Sequence, residues 1–306
     1  MKLYKSYWHS RIFTPPVASD QPVQNYFTAM PNAGAGIGHQ LANWIAGYWF
    51  AKQFELRFSH SPFSSRQWED FLGFGINEET VPSLIQKGYK TVRLPLFRET
   101  DKNEVAAVRK IIQSYNNKKV VFIAEQDQYY KAQYEIADIL KTKFYHAPAR
   151  KHHQLIFDPA NLNIAIHIRR GDIVVADNKN FDKSLRFQEN DYFVNVLCNT
   201  INNIKADKPV AIYLFSQGVP GDFSVFRQFE NITFCLEMSA LDSFNHMIYA
   251  DVLITSKSSF SYKAGLLNKG LKICPGNFWH GYPSTPDYIL AEENGMPDVK
   301  KFNLIK

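Results

Sequence analysis

Short apolar runs of strand length recur along this chain, each separated from the next by an amphipathic stretch of helix length. In the first half such runs fall at residues 26–30, 56–60, 91–96 and 120–124, with helical patterns near 102–115 and 130–140. Between the first two runs lies a glycine-rich turn (Gly34, Gly36, Gly38) and then a long helix. In that helix Leu41, Trp44, Ile45, Tyr48 and Trp49 recur at i, i+3, i+4, i+7 and i+8, the spacing of a buried stripe. Alternation of this kind dictates parallel strands joined by helical crossovers, an α/β layer architecture.

From residue 144 to 159 the sequence turns polar and basic, through His146, Pro148, Arg150, Lys151, His152, His153 and Pro159. We read this as a boundary between a domain over 1–155 and a second over 156–306, which suits a length of 306 residues at about 100–200 per domain. The alternation then restarts. It predicts strands at 163–168, 210–215, 232–235, 251–255 and 271–274, and helices at 191–203, 222–229, 241–249 and 259–267. Five strands with four crossovers describe an open doubly wound sheet, which binds ligands beyond the carboxyl ends of its strands.

The net charge of +6 suits an anionic ligand or peripheral attachment to an anionic membrane surface. Basic residues are scattered and form no stripe interleaved with stacking aromatics, which argues against nucleic acid. Aromatics reach 15%, and most are expected in the core. Three cysteines (Cys198, Cys235, Cys274) are too few and too far apart for a disulfide framework or a zinc site. Each lies in or beside an apolar stretch, as reduced thiols of a cytosolic-type environment do. The first residues lack the apolar core of a signal peptide, and no apolar run approaches the roughly 18 residues that span a bilayer. The expectation is a cytoplasmic or membrane-peripheral protein.

Four constellations carry chemistry. His167-Ile168-Arg169-Arg170-Gly171-Asp172 follows the apolar run Ile164-Ala165-Ile166, so two guanidinium groups stand at the carboxyl end of a central strand. Arginine forks match phosphate oxygens, and a departing nucleoside diphosphate gains negative charge as its sugar bond breaks. The bland reading, a charged strand end satisfied by water or Asp172, yields to the histidine two residues ahead and the strand before it. Second, Thr255-Ser256-Lys257-Ser258-Ser259-Phe260-Ser261 sets a strand end against a helix start rich in hydroxyls. There Ser258 or Ser259 caps the helix, and the same N-terminus suits an anion. Third, Asp242 and His246 share a helix face at i and i+4; Asp242 suits a base or ribose, or else completes a capping box with Ser239. Fourth, the turn Gly34-Ala35-Gly36-Ile37-Gly38-His39-Gln40 does not follow G-x-G-x-x-G and lacks a convincing acidic ribose partner. It reads instead as a tight turn lining an interdomain cleft, with Gly36, Gly38, His39 and Gln40 toward the acceptor or sugar. Asp-x-Asp, G-x-x-x-x-G-K-[ST] and G-x-S-x-G are absent from the sequence.

Together these motifs resemble the fucosyltransferase superfamily of α1,2-, α1,6- and protein O-fucosyltransferases. His-x-Arg-Arg-x-Asp stands intact at residues 167–172, and Gly-x-Gly-Asn-Gln appears as Gly36-Ile37-Gly38-His39-Gln40. The late acidic and serine segment appears as Asp242, Ala250-Asp251 and Ser258-Ser259-Phe260-Ser261. The resemblance covers roughly the second half of the chain and, in the first half, only the turn. It implies a GT-B fold of two Rossmann-like domains facing across a donor/acceptor cleft, a GDP-sugar donor held by the C-terminal domain, and a glycan or glycoconjugate acceptor. It also implies inversion at the sugar carbon, with no metal or other cofactor. Position by position, Arg169 would bind the β-phosphate, His167 and Asp242 the nucleoside, and Ser258 and Ser259 the pyrophosphate, with Arg170 and Phe260 completing the donor site. Asp177 sits at the spacing of the base proposed in the α1,6 branch, and Asp172 competes for that role. The chain departs from the pattern at His39, where the family has Asn, and at Tyr262-Lys263, where many α1,2 enzymes carry an aromatic pair. Two rivals remain: a transferase of the same fold using a pentose or mannose-type donor, and a non-catalytic carbohydrate- or nucleotide-binding protein.

Overall fold

The computed structural model describes residues 8, 10–13, 23–125, 132–152, 154–171 and 185–304. The chain divides into two compact units, Met1–Arg150 and Lys151–Lys306.

The first unit is built on a four-stranded parallel sheet in the order β2-β1-β4-β3, with β1 Tyr26–Ala29, β2 Arg57–Phe58, β3 Lys90–Arg93 and β4 Val120–Ala124. Helix α1, Ile37–Gln53, follows the glycine turn. It is more deeply sunk than a one-sided stripe predicts, since nearly every residue from Ile37 to Gly47 is buried. Gly47 permits this. A Cβ there would stand 2.8 Å from the Ala29 amide nitrogen, so any larger residue would push the helix off β1. Around the helix an aromatic core forms from Phe27, Trp44, Phe50, Phe74 and Phe122, each at most 3% exposed. A buried side chain of this size stabilises the fold by about 1.5–3 kcal/mol relative to exposure.

Two short helices, α2 Arg66–Leu72 and α3 Val81–Gln86, escape the periodicity reading because each holds two turns or fewer. They are marked instead by caps: Ser65 accepts from the Trp68 amide and Thr80 from the Ser83 amide. Helix α4, Lys102–Gln113, is capped by Asp101. The helix expected near 130–140 is a 3₁₀ turn, Gln133–Ile136, leading into α5, Ala137–His146; the start of that expected range lies outside the described residues.

In the second unit the sheet has six parallel strands, in the order β10-β9-β8-β5-β6-β7. They are β5 Leu162–His167, β6 Val210–Phe215, β7 Ile232–Cys235, β8 Val252–Ile254, β9 Leu271–Pro275 and β10 Tyr288–Ala291. The sixth, β10, is one more than the sequence predicts. No helix precedes it, so the alternation that marks the other strands is missing there. Helices α6 Asn190–Asn203, α7 Ala240–Tyr249 and α8 Ser259–Leu267 supply crossovers. The helix expected at 222–229 is instead a 3₁₀ segment, Pro220–Gln228, kinked at Phe223, with Phe223 and Phe226 fully buried.

Strand order sets the place of chemistry. From β5 the chain builds outward through β6 to β7, then returns to lay β8 on the other side of β5. The carboxyl ends of β5 and β8 therefore flank a topological switch point, where sheets of this kind open a crevice. Among the described residues no helix is long and apolar enough to cross a membrane. The cysteines are free thiols, with Cys235 and Cys274 buried and Cys198 half-buried. Burial raises Cys235 to about 11 and Cys274 to about 12.

Candidate functional site

β5 and β8 run side by side with Ile166 opposite Ile254, so the residues just past each end remain neighbours. Two contacts result. His167 Nδ1 lies 2.8 Å from Ser256 Oγ, and Arg169 Nη1 donates to Ser258 Oγ at 3.3 Å. Residues two apart on one segment thus meet residues two apart on the other, as extended backbones at adjacent strand ends require.

Burial, and secondarily the Arg169 charge, push His167 down to about 3. The imidazole is therefore neutral at physiological pH, with Phe260 packed beside it at 5.5 Å between ring centroids. Ser258 is the N-cap of α8 and its Oγ also accepts from the Phe260 amide at 3.3 Å. With Arg169 and Phe260 supplying its two acceptor bonds, the hydroxyl proton is left to donate. Ser261 reinforces the turn from below, its Oγ accepting from the Ser256 amide at 3.3 Å. Ser259 turns the other way, its Oγ 3.3 Å from His280 Nε2. A guanidinium, a hydroxyl donor and the positive end of a helix dipole converge here, the makings of a phosphate site.

Arg170 has different work. Its Nη2 donates to Asn190 Oδ1 at 2.6 Å, its Nη1 to the Arg169 carbonyl at 2.9 Å, and its Cζ lies 4.5 Å from the Phe187 ring centre. The side chain pins the end of β5 to the start of α6. Gly171 follows in the left-handed region (φ 70°), where a Cβ would collide with Gln217 Oε1 at 2.0 Å. That glycine lets the chain leave the strand at this angle. Asp172 and Asp177 lie outside the described residues.

Asp242 sits in the first turn of α7. Its amide donates to Ser239 Oγ at 3.1 Å, the N-cap half of the capping box read from sequence. Its carboxylate accepts from that same hydroxyl at 2.6 Å and not from the Ser239 backbone N–H that a full box requires. The carboxylate is exposed. His246 on the same face is consumed: Nδ1 donates to the Asp242 carbonyl at 2.7 Å and Nε2 accepts from the Ile156 amide at 3.0 Å. Burial lowers its pKa against the opposing pull of Asp242, so it too is held neutral.

In the first unit Gly36 is the N-cap residue of α1, Gly38 is buried and His39 is half-buried. Gln40 braces the neighbouring loop. Its Nε2 donates to the Ala35 carbonyl at 2.7 Å and to Ser64 Oγ at 2.8 Å, and its Oε1 accepts from the Ser64 amide at 2.8 Å. A second buried network lies nearby. Trp44 Nε1 donates to His60 Nδ1 at 3.1 Å, which places the ring proton on Nε2, 2.7 Å from Glu69 Oε1. Burial pulls Glu69 upward, but the bonds from His60 and the Phe63 amide outweigh it and hold the carboxyl below its usual range.

Sequence reasoning misses Ser256 as a partner of His167, and Gln188, whose buried Oε1 accepts from the Lys257 amide at 2.9 Å. Ser256 had a signal: two serines at i and i+2 facing a His-x-Arg of the same spacing. Gln188 had none.

No family model matches the sequence, and no curated protein matches it. Solved structures do. An arginine-to-lysine mutant of FUT1 from Arabidopsis thaliana, in complex with GDP, is similar over 92% of this chain and 77% of its own, with a TM-score of 0.53 at 10% identity. POFUT1 in complex with GDP is similar over 85% of this chain and 99% of its own, with a TM-score of 0.50 at 10% identity. The fold is that of the fucosyltransferases. This mixed α/β architecture of parallel sheets is the fold class the motifs implied. At such identity the likeness extends to the backbone, and the side chains must make their own case for chemistry.

Proposed function

We propose that the chain is a glycosyltransferase that moves fucose from GDP-fucose to a hydroxyl of a glycan, inverting the sugar carbon without a metal. The observation that carries the reading is the pairing of His167 and Arg169 with Ser256 and Ser258 at the switch point, over the N-terminus of α8. The two structural neighbours described above, each in complex with GDP, support the nucleotide.

In this mechanism Arg169, the Ser258 hydroxyl and the α8 N-terminus take up the charge that develops on the departing β-phosphate, the role a divalent cation plays in other transferases. Neutral His167 and the Asp242 carboxylate face the nucleoside. The N-terminal unit binds the acceptor. Asp177 or Asp172 accepts the proton of the attacking hydroxyl, and the displacement occurs in one step.

The test is a thermal-shift screen of GDP- and UDP-sugars followed by a transfer assay with and without chelator. A true donor raises the melting temperature by mass action, worth about 2.7 kcal/mol at 100 times its Kd. GDP-fucose is expected to stabilise the protein most, and chelator to leave turnover intact. Stabilisation only by UDP-sugars would overturn the donor, and turnover lost to chelator and restored by added metal would overturn the metal-free mechanism.

A further inference from the structure

The turn between β8 and α8 has two flanks. Ser256 and Ser258 face the end of β5, where His167 and Arg169 meet them. On the other flank, the Lys257 amide is held by Gln188, and Ser259 meets His280 in the segment that follows β9. The two neighbours of these partners complete that flank. Arg186, two residues before Gln188, places its Cζ 5.4 Å from the ring centre of Trp279, the residue before His280.

The pair has a rigid backing. Phe278 and His280 are buried, and the Trp279 ring packs against both, with centroid distances of 4.4 and 5.6 Å. Tyr262 of α8 packs against His280 at 5.0 Å, tying the segment to the same helix whose N-terminus forms the phosphate site. Trp279 itself is half-buried. Its indole N–H is buried and makes no hydrogen bond among the described residues, so what the side chain presents to solvent is carbon. An aromatic carbon surface next to a guanidinium suits a pyranose, which offers an apolar C–H face and a rim of hydroxyls.

A nucleotide sugar is a linear ligand with the pyrophosphate at its centre. If the pyrophosphate rests on the α8 N-terminus and the nucleoside on the His167 flank, the sugar falls on the opposite flank. We propose that Trp279 and Arg186 form the wall that receives the donor's sugar, Trp279 against its C–H face and Arg186 toward its hydroxyls. This inference rests on the donor reading above and adds the residues that tell one sugar from another.

The experiment compares GDP with GDP-fucose by calorimetric titration in the full chain, for wild type, Trp279→Ala, Trp279→Phe and Arg186→Met. The expected result is a loss of about tenfold in GDP-fucose affinity for Trp279→Ala, the scale of one aromatic contact, with GDP affinity held within twofold. Trp279→Phe should recover most of the loss. Arg186→Met, which keeps apolar cover over the ring, should weaken GDP-fucose and spare GDP. An equal loss for both nucleotides, or no loss for either, overturns the sugar wall while leaving the GDP site standing. Failure of the wild-type protein to bind GDP overturns the donor reading, and the wall with it.

Discussion

After β1 and after β8 the chain does the same thing: it leaves a parallel strand, makes a tight turn and enters a buried helix. The two turns are filled differently. The first, at residues 34–36, is made of glycine and alanine, and α1 starts from Gly36 without a side-chain cap. Its polar neighbour Gln40 is spent on the loop at Ser64, and His60 is spent between Trp44 and Glu69. The second, at residues 255–258, is rich in hydroxyls, and its serines with Ser259 of the helix start reach outward, Ser256 to His167, Ser258 to Arg169 and Ser259 to His280. Near the first turn the polar groups close on one another and fix the fold. Around the second they gather a cation and hydroxyls over a helix N-terminus, where an anion can be held. A strand–turn–helix unit is thus a site only when its turn and its neighbouring strand supply complementary side chains.

The largest effect that would break or sharpen this contrast is kinetic. Arg169→Ala should cut transfer about 100–1,000-fold, the scale of removing one preorganised donor from developing charge, with the protein still folded by circular dichroism. Near-normal turnover would place the phosphate elsewhere. Next in size, Glu69→Ala in the first unit should cost about 1–3 kcal/mol of stability by leaving the buried His60 N–H unsatisfied, seen as a lower denaturation midpoint. It should leave GDP affinity unchanged, and a matching loss of GDP binding would erase the distinction between the two networks. The third effect concerns pH. His167 is held near 3 in the folded state against an ordinary value of 6.5. The unfolded chain therefore binds a proton that the folded one refuses, so stability falls as pH drops from about 6.5 toward 3 and is fully present above that window. His246, also lowered, adds to the same slope. Denaturation series across this range should show a shallower slope in His167→Gln than in wild type.

How much of this the sequence discloses follows from the range of each interaction. β4, β6, β7 and α8 are readable to the residue because their apolar runs are unbroken and their caps local. β10 is not, since its partner β9 and not its own pattern makes it a strand. His167, Arg169 and Ser258 stand out as residue types at a strand end and a helix start, yet their pairing joins positions 89 residues apart. Only the strand order brings those together. Arg170 shows the converse: its residue type promises phosphate, while Asn190 and Phe187 claim it for the loop.

The central claim is that the cluster between β5 and β8 holds the pyrophosphate of a guanosine nucleotide. Calorimetric titration of GDP into wild-type protein, Arg169→Ala and Gln40→Ala tests it most directly. Wild type and Gln40→Ala should bind GDP alike, and Arg169→Ala about 10–100-fold more weakly, the worth of a charge-assisted phosphate contact. Equal GDP affinity in wild type and Arg169→Ala would contradict the account.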